Sequence, residues 1–413
     1  MKRIVILGAG TGGTVMANLL HKRLDRKDWT LTVIDKDDDH YYQPGFLFIP
    51  FGFYKKEQLL KKRSKFIPKG VEFIVSEIDR VDPAANAVLL GDGRRIAYDI
   101  LVVATGTDIA PSETPGMLDG WRDTIFDFYT ADGAAALAEK LKTFPGGRLV
   151  VHVNEMPIKC PVAPLEFSFF CDWCLRRHHR REAIDLVYVT PLSGAFTKPV
   201  ASKALGSLLE ERRIRTVADF SAERIDAAAR KIVSYDGREV PYDLLVTVPT
   251  NMGAEMIERS GLGDELRFVP TDPTTLRSVK HENVFVIGDA SNVPTSKAGS
   301  VAHFQSELLV ENILRTADGR PLEPGFDGHS NCFVETGRRK AILIDFNYAT
   351  EPLPGRFPFP IVGPLPLLRP SRLNHLGKLA FRWMYWYMLL RGRPIPFVPA
   401  RMKMAGKRRP VEA

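Results

Sequence analysis

Short apolar runs alternate with stretches of helical periodicity along most of this 413-residue chain. The run at 4–7 predicts a strand, the stretch from Gly13 to Leu24 predicts a helix, and the run at 31–34 predicts a second strand. Strands that alternate with helices are typical of parallel sheets with crossover helices. The pattern therefore predicts an α/β protein.

A glycine-rich turn joins the first predicted strand to the helix. Its glycines have the spacing of the dinucleotide fingerprint, which needs a tight turn, close approach of the backbone to a pyrophosphate and close helix packing. An acidic residue follows the second strand, where a carboxylate can meet a ribose hydroxyl. A glycine turn without a nucleotide is the alternative. The candidate residues are Gly8, Gly10, Gly12, Gly13, Asp35 and Lys36.

Two later apolar runs end in short glycine motifs. The run at 99–103 leads to Thr105 and Gly106, and the run at 283–287 leads to Gly288 and Asp289. In this order the motifs resemble signatures of two-dinucleotide flavoproteins. The resemblance implies FAD, with Asp289 on its ribityl chain. Lys297 is a candidate to hold the flavin pyrimidine or a quinone oxygen.

The motif order also predicts the domains. We expect an FAD-binding domain split between 1–108 and 250–316, and a second Rossmann-like domain at 109–249. A C-terminal region at 317–413 would dock on a membrane. The hydrophobic content of 45% is ample for buried cores in two or three domains. The fold class is therefore α/β, with two Rossmann-like dinucleotide-binding domains and a membrane-docking region.

Cys160 follows a predicted strand at the place where a nicotinamide-using flavoenzyme would carry a second glycine loop. A thiol at this place suggests that electrons arrive from sulfur. Pro161 and the apolar residues after it predict a helix start, where the helix dipole favours a thiolate. Glu166 is a candidate acid or base. The alternatives are a buried structural thiol and an ordinary acid in a first helical turn.

The positive charge of the chain is concentrated at its end. Eleven basic and no acidic residues lie between Arg369 and Arg409, whereas the whole chain has a net charge of +8. The segment 379–390 is apolar and aromatic but too short to cross a bilayer, which needs about 20 residues. Leu376, Ala380, Trp383, Tyr387 and Leu390 share a helical face, which suits a membrane interface. A core helix is the alternative, and a solid apolar block argues against nucleic acid.

Taken together, these motifs resemble the sulfide:quinone oxidoreductases. The segments that carry the resemblance are Gly8–Gly13, Thr105–Gly106, Ile158–Pro161, Gly288–Ala290, Pro294–Lys297, Cys332–Phe333 and Asn374–Trp386. The resemblance implies that sulfide attacks a Cys160–Cys332 disulfide. Two electrons would then pass through FAD to a membrane quinone, and sulfane sulfur would leave as polysulfide. By the same analogy, Phe333, Phe346 and Tyr348 would line the quinone slot, although strand core is an equal alternative.

Other expectations follow from residues that are absent or do not fit. The segment 123–132 lacks the cysteine that relatives with a flavin thioether carry, so FAD should be non-covalent. Cys171 and Cys174 form a CxxC on a predicted helix, which we interpret as an inert pair and not as a metal site. No export signal is evident. We therefore expect a peripheral, monotopic protein on the cytoplasmic face of a bilayer, and a homo-oligomer.

Three alternatives to this function stay open. A type II NADH:quinone oxidoreductase would share the fold and the flavin, but it should carry the second glycine loop. A sulfide dehydrogenase flavoprotein subunit should carry an export signal. A membrane-bound flavoprotein scaffold without redox activity would leave Cys160 and Cys332 unexplained.

Overall fold

The computed structural model describes residues 1–408, so Arg409 and the end of the expected region 317–413 lie outside the described residues. The helices are α1 (Thr11–Arg23), α2 (Ala131–Thr143), α3 (Ala163–Arg177), α4 (Pro199–Glu211), α5 (Glu255–Arg259), α6 (Gly299–Ala317) and α7 (Arg372–Tyr387). The strands are β1 (Lys2–Leu7), β2 (Trp29–Asp35), β3 (Asp39–Tyr41), β4 (Leu60–Lys62), β5 (Glu72–Val75), β6 (Ile78–Asp82), β7 (Ala87–Leu90), β8 (Arg95–Ala97), β9 (Ile100–Val103), β10 (Thr107–Ile109), β11 (Ile125–Phe126), β12 (Gly147–Val153), β13 (Ile184–Val189), β14 (Arg215–Val217), β15 (Ala222–Asp226), β16 (Lys231–Ser234), β17 (Glu239–Pro241), β18 (Leu244–Val248), β19 (Asn251–Gly253), β20 (Val284–Val286), β21 (Ser330–Glu335), β22 (Ala341–Phe346), β23 (Gly355–Phe357) and β24 (Leu365–Leu367).

Two parallel sheets form the body of the protein. The first has the strand order β20–β9–β1–β2–β5, and the second has the order β11–β18–β12–β13–β14. Their central strands are buried on both faces, which explains why they read as continuous apolar runs. The predicted α/β class with parallel sheets is confirmed.

The first sheet combines four strands from the beginning of the chain with β20, which comes about 180 residues later. β20 pairs with β9, and β9 pairs with β1, so the chain returns to its first sheet after completing the second. The short antiparallel pair β10–β19 lies where the chain leaves and re-enters this unit. This topology brings both glycine motifs to the carboxyl edge of one sheet, where ligands bind in open α/β folds.

The C-terminal part adds a third sheet and α7. The order β21–β22–β24–β23 combines antiparallel and parallel pairs. Ser371 caps α7 by accepting a hydrogen bond from the N–H of Asn374 at 3.0 Å, as expected for a helix N-cap. Among residues 1–408, no helix is both long enough and apolar enough to span a bilayer.

Candidate active site

The glycine turn lies at one end of a cavity of about 1060 Å³. Gly8 has a φ of +93°, and a Cβ there would lie 2.5 Å from the carbonyl oxygen of Ala104. A Cβ on Gly13 would collide with the carbonyl oxygen of Gly8. Gly10 instead has open space where its side chain would be. The turn therefore needs glycine for its shape, and its backbone is open to a ligand.

Asp35 and Lys36 line the same cavity. Asp35 Oδ2 accepts a hydrogen bond from the N–H of Ala9 at 2.5 Å, and its Oδ1 pairs with Arg63. The carboxylate thus holds the glycine turn in place in addition to facing the cavity. Lys36 is exposed and lies 4.0 Å from Asp108.

The other two motifs follow β9, which pairs with β1, and β20, which pairs with β9, and they line the same cavity. Thr105, Gly106, Gly288 and Asp289 all line the cavity. Burial raises the pKa of Asp289, although Lys297 and Lys159 oppose it. Lys297 also lines the cavity, but its Nζ donates to the carbonyl oxygens of Asp289 and Ser291 at 2.9 and 2.6 Å. Lys297 therefore fixes the Gly-Asp loop, and its amine is already engaged.

This cavity fits FAD. The glycine turn leaves the N-terminus of α1 open, which is a ready site for a pyrophosphate. Thr105 Oγ1 and Thr107 Oγ1 are buried on the cavity wall, and neither has a hydrogen-bond partner within residues 1–408. Unsatisfied buried hydroxyls are costly, so both are suited to a polar ligand.

Cys160 lies in the loop between β12 and α3, as the sequence predicts. Its φ is +48°, a left-handed value that few residues other than glycine adopt. The N–H of Cys160 donates to the carbonyl oxygen of Lys297 at 2.7 Å, and Tyr129 Oη donates to the carbonyl of Cys160 at 3.1 Å. The loop is thereby fixed against the Gly-Asp loop, with the thiol on the cavity wall.

Cys332 reaches the same cavity from β21. Burial raises its pKa to about 12, with Glu166 and Asp345 adding to the effect. Burial also raises the pKa of Cys160, and the nearby charges of Glu166 and Cys332 raise it further. The expectation that the helix start makes Cys160 a ready thiolate is therefore wrong, because desolvation outweighs the dipole.

Glu166 is buried beside both thiols and pairs with Lys378 of α7. The N–H of Glu335 donates to Glu166 Oε1 at 2.5 Å. Burial raises the pKa of Glu166, although Lys378 opposes it. Burial by itself would lower the pKa of Lys378, but Glu166 and Glu335 outweigh it and hold the pKa above its usual value.

Lys378 is a residue whose role sequence reasoning missed. It stands in the basic run that was interpreted as a membrane-facing tail, yet its ammonium lies beside the thiols and lowers both of their pKa values. Glu335 extends the buried charges, because its Oε2 lies 2.8 Å from His375 Nδ1 one turn before Lys378. The available signal was the i, i+3 spacing of His375 and Lys378, which puts both on one face of a helix.

The three aromatic residues that were predicted to line the quinone slot do not lie together in the structure. Phe333 lines the cavity and packs so closely on α7 that a Cβ on Gly377 would lie 2.9 Å from its ring. Phe346 is instead buried against Phe196, with a centroid distance of 6.4 Å. Tyr348 packs on Phe326 and donates to the carbonyl of Pro273. The expectation that Phe346 and Tyr348 line this slot is wrong, because their strand and the following turn face the core.

Other apolar residues of the C-terminal part do line the cavity. The cavity wall there includes Phe357, Pro358, Phe381 and Phe397. Phe397 is 72% exposed, so the cavity reaches the surface at this point. The signal of Phe357, Pro358 and Phe397 in the sequence was weak, because proline-rich segments show no regular periodicity.

The C-terminal basic and aromatic segment is partly buried in the protein core. Tyr385 and Trp386 are buried, and Leu390, expected on the exposed face, is fully buried. Leu376 and Trp383 are exposed, as predicted for the outer face. Helix α7 therefore combines both alternatives, since one side belongs to the core and the other faces outward.

Known proteins resemble this chain over most of its length. Residues 2–152 match the family model described as pyridine nucleotide-disulphide oxidoreductase. The mitochondrial sulfide:quinone oxidoreductase of Dictyostelium discoideum is 30% identical over 402 residues, which cover 95% of this chain and 86% of that protein. The corresponding protein of Mus musculus is 27% identical, over 94% of this chain and 86% of that protein.

The solved structure of the sulfide:quinone oxidoreductase from Aquifex aeolicus has the same fold. Its TM-score is 0.77 at 20% identity, over 95% of this chain and 92% of that chain. The prediction of FAD as the cofactor is confirmed at the level of the family. The chain belongs to the sulfide:quinone oxidoreductase family.

Proposed function

We propose that the protein oxidises sulfide at a Cys160–Cys332 redox pair and delivers two electrons to a membrane quinone. One observation carries this proposal: two cysteines far apart in the sequence line one cavity with the glycine turn, and Glu166 and Lys378 stand beside both. Such a grouping of thiols and a buried ion pair has no evident structural purpose, and perturbed groups that cluster in a cleft indicate chemistry.

The thiol chemistry balances as a disulfide exchange. Hydrosulfide attacks one sulfur of the Cys160–Cys332 disulfide, so a new S–S bond forms and the old one breaks. One cysteine then carries a persulfide, and the other leaves as a thiolate. A second hydrosulfide takes the outer sulfur of the persulfide and leaves as the disulfide anion, the shortest polysulfide, so both cysteines become thiols. Their reoxidation to the disulfide releases two electrons, which FAD, when bound, would accept and pass to quinone.

Glu166 and Lys378 provide what this exchange needs. A buried thiolate is unfavourable, and the Lys378 ammonium offsets part of that cost because it lowers the pKa of both thiols. Glu166, whose own pKa is raised by burial, is suited to take the persulfide proton and release it later. Lys297 and Asp289 would hold the flavin side of the cavity through the Gly-Asp loop.

The flavin should be held without a covalent bond. Phe126, Phe128 and Tyr129 occupy the segment where a thioether would need a cysteine, and the two phenylalanines are buried. Acid precipitation should therefore release the yellow cofactor into the supernatant. Flavin that stays with the precipitated protein would contradict a non-covalent site.

Quinone would enter from a membrane that the protein contacts with its C-terminal part. Leu376 and Trp383 on the outer side of α7 are 57% and 59% exposed, and Ile361 is 90% exposed. These residues adjoin basic side chains, a combination that suits a bilayer interface. Phe397 belongs both to the cavity wall and to the surface, so an apolar quinone would enter the cavity beside it.

The decisive experiment is anaerobic reduction of the bound flavin. Sulfide should bleach its visible absorption in a stoichiometric titration, and added quinone should restore the absorption. NADH should have no effect, because the loop after β12 carries Cys160 where a nicotinamide site would need glycines. Bleaching by NADH but not by sulfide would overturn the proposal in favour of an NADH:quinone oxidoreductase.

Membrane contact is tested by flotation with vesicles that contain anionic lipid. The double substitution Leu376→Asn with Trp383→Gln should release the protein from vesicles, since it removes exposed apolar area without touching the core. The matched control is Leu118→Asn with Tyr235→Gln, which changes two residues outside the C-terminal part that are at least about half exposed. Equal flotation of both variants would mean that α7 is not the contact surface.

A further inference from the structure

Helix α7 presents two unlike faces. Its outer face exposes Leu376 and Trp383, whereas Tyr385 and Trp386 on its inner face are each only 3% exposed. The inner face packs against the unit that carries the glycine turn. Its buried tyrosine serves neither the thiol chemistry nor the outer surface, so it calls for a role of its own.

The hydroxyl of Tyr385 bridges two residues of the cofactor cavity. It lies 2.8 Å from Thr11 Oγ1, at the first residue of α1, and 2.7 Å from His40 Nε2. The tyrosine ring also lies against the first residue of α6, because a Cβ on Gly299 would be 3.9 Å from Tyr385 Cε2. Tyr385 therefore touches the N-termini of two helices that open on the same cavity.

The residues that follow α7 contact α1 further along that helix. Asn18 Nδ2 donates to the carbonyl oxygen of Leu390 at 3.0 Å, and Lys22 Nζ donates to that of Arg391 at 2.8 Å. Trp386 stacks on Phe66 with a centroid distance of 5.4 Å. Helix α1 is thus braced from its first residue to its last turn.

His40 is the second partner of Tyr385 and lines the cavity with it. Burial, with a smaller effect of Arg63, lowers the pKa of His40 to about 3, so the ring is neutral. Burial raises the pKa of Tyr385, so its hydroxyl keeps its proton. The backbone of Ala9, in the glycine turn, opposes this lowering of the His40 pKa, so His40 is also linked to the turn.

We propose that Tyr385 is a positioning residue for FAD: through Thr11 and His40 it fixes the N-terminus of α1, where the cofactor's pyrophosphate would bind. The α1 amides and the glycine turn can hold a phosphate only if their direction is fixed. Helix α7 and the cofactor site are then connected through the hydrogen bonds of Tyr385. This role rests on FAD binding at the glycine turn, and it does not depend on the two-thiol chemistry or on membrane contact.

The test compares three Tyr→Phe variants of the holoenzyme. Tyr385→Phe keeps the ring and removes the bridging hydroxyl. Tyr188→Phe makes the same change at a buried tyrosine of the second sheet, and Tyr387→Phe makes it on the exposed side of α7. FAD release after dilution is followed by flavin fluorescence, and unfolding in urea is measured on the same samples.

Tyr385→Phe should release FAD about three to ten times faster than the wild type, the range expected for a lost buried hydrogen bond. Tyr188→Phe and Tyr387→Phe should release FAD at the wild-type rate, whatever their unfolding midpoints. Combining Thr11→Val with Tyr385→Phe should add little, because both remove the same bond. Wild-type release by Tyr385→Phe, or equally fast release by Tyr188→Phe, would overturn the proposal.

Discussion

The protein carries two pairs of cysteines that differ in everything except burial. Cys160 lies in the loop before α3 and Cys332 lies on β21, and both line the cofactor cavity, whereas Cys171 and Cys174 lie one turn apart on α3, outside the cavity wall. Burial raises the pKa of all four thiols, so desolvation does not distinguish the pairs. The neighbouring charges distinguish the two pairs. Glu166 and Lys378 lie beside both cavity thiols, whereas Cys171 adjoins Asp172, whose carboxylate is paired with arginines.

The largest expected effect comes from the cavity pair itself. Cys160→Ser and Cys332→Ser should each lower sulfide-dependent quinone reduction by at least about 1000-fold while FAD stays bound. Each thiol is half of one disulfide, so either loss should cost about as much as both, as is usual for residues that act as a unit. The measurement is steady-state turnover, with the flavin spectrum as the check on cofactor content.

The double variant makes this prediction sharper. Cys160→Ser combined with Cys332→Ser should be no worse than either single change. Near wild-type turnover in any of the three variants would mean that sulfide oxidation does not require the cavity pair.

A smaller effect is expected from Glu166→Gln, which keeps the shape of the side chain and removes its charge. Turnover should fall by about 100-fold, a usual contribution of a general acid or base. The pKa of both cavity thiols should fall, because Glu166 raises them and Lys378, freed from its partner, lowers them. Alkylation of the reduced holoenzyme should therefore begin at lower pH than in the wild type.

The helix pair provides the internal control for that experiment. Glu166 does not contribute to the raised pKa values of Cys171 and Cys174, so their alkylation should keep its wild-type pH dependence. Mass spectrometry of the alkylated peptides separates the four sites. A shift toward higher pH at Cys160 and Cys332 would contradict the assigned role of Glu166.

The smallest effect is expected from Cys171→Ala with Cys174→Ala. Turnover should stay within about twofold of the wild type, because neither thiol lines the cavity. The free energy of unfolding should fall by about 1–2 kcal/mol, since small buried side chains are lost from a packed helix. A loss of activity comparable to that of Cys160→Ser would mean that the CxxC takes part in electron transfer.

Sequence reasoning located the cofactor residues because each belongs to a short local pattern. The glycine turn, Asp35, the Thr-Gly and Gly-Asp motifs and Cys160 all lie at the carboxyl end of a strand or in the loop after it, and the structure puts them on the cavity wall. Sequence reasoning failed where the surroundings of a side chain are formed by distant segments of the chain. Phe346 and Tyr348, for example, pack on the core instead of lining the cavity.

The sequence by itself determined the α/β class, the FAD turn and the strand-to-helix position of Cys160, because apolar periodicity and glycine spacing encode local backbone structure. Only the tertiary structure decided that Cys332 lines the same cavity as Cys160, that Lys378 pairs with Glu166 and that Tyr385 contacts Thr11. These contacts join segments that are distant along the chain. Their partners depend on how whole sheets and helices pack, and no local pattern of residues specifies that arrangement.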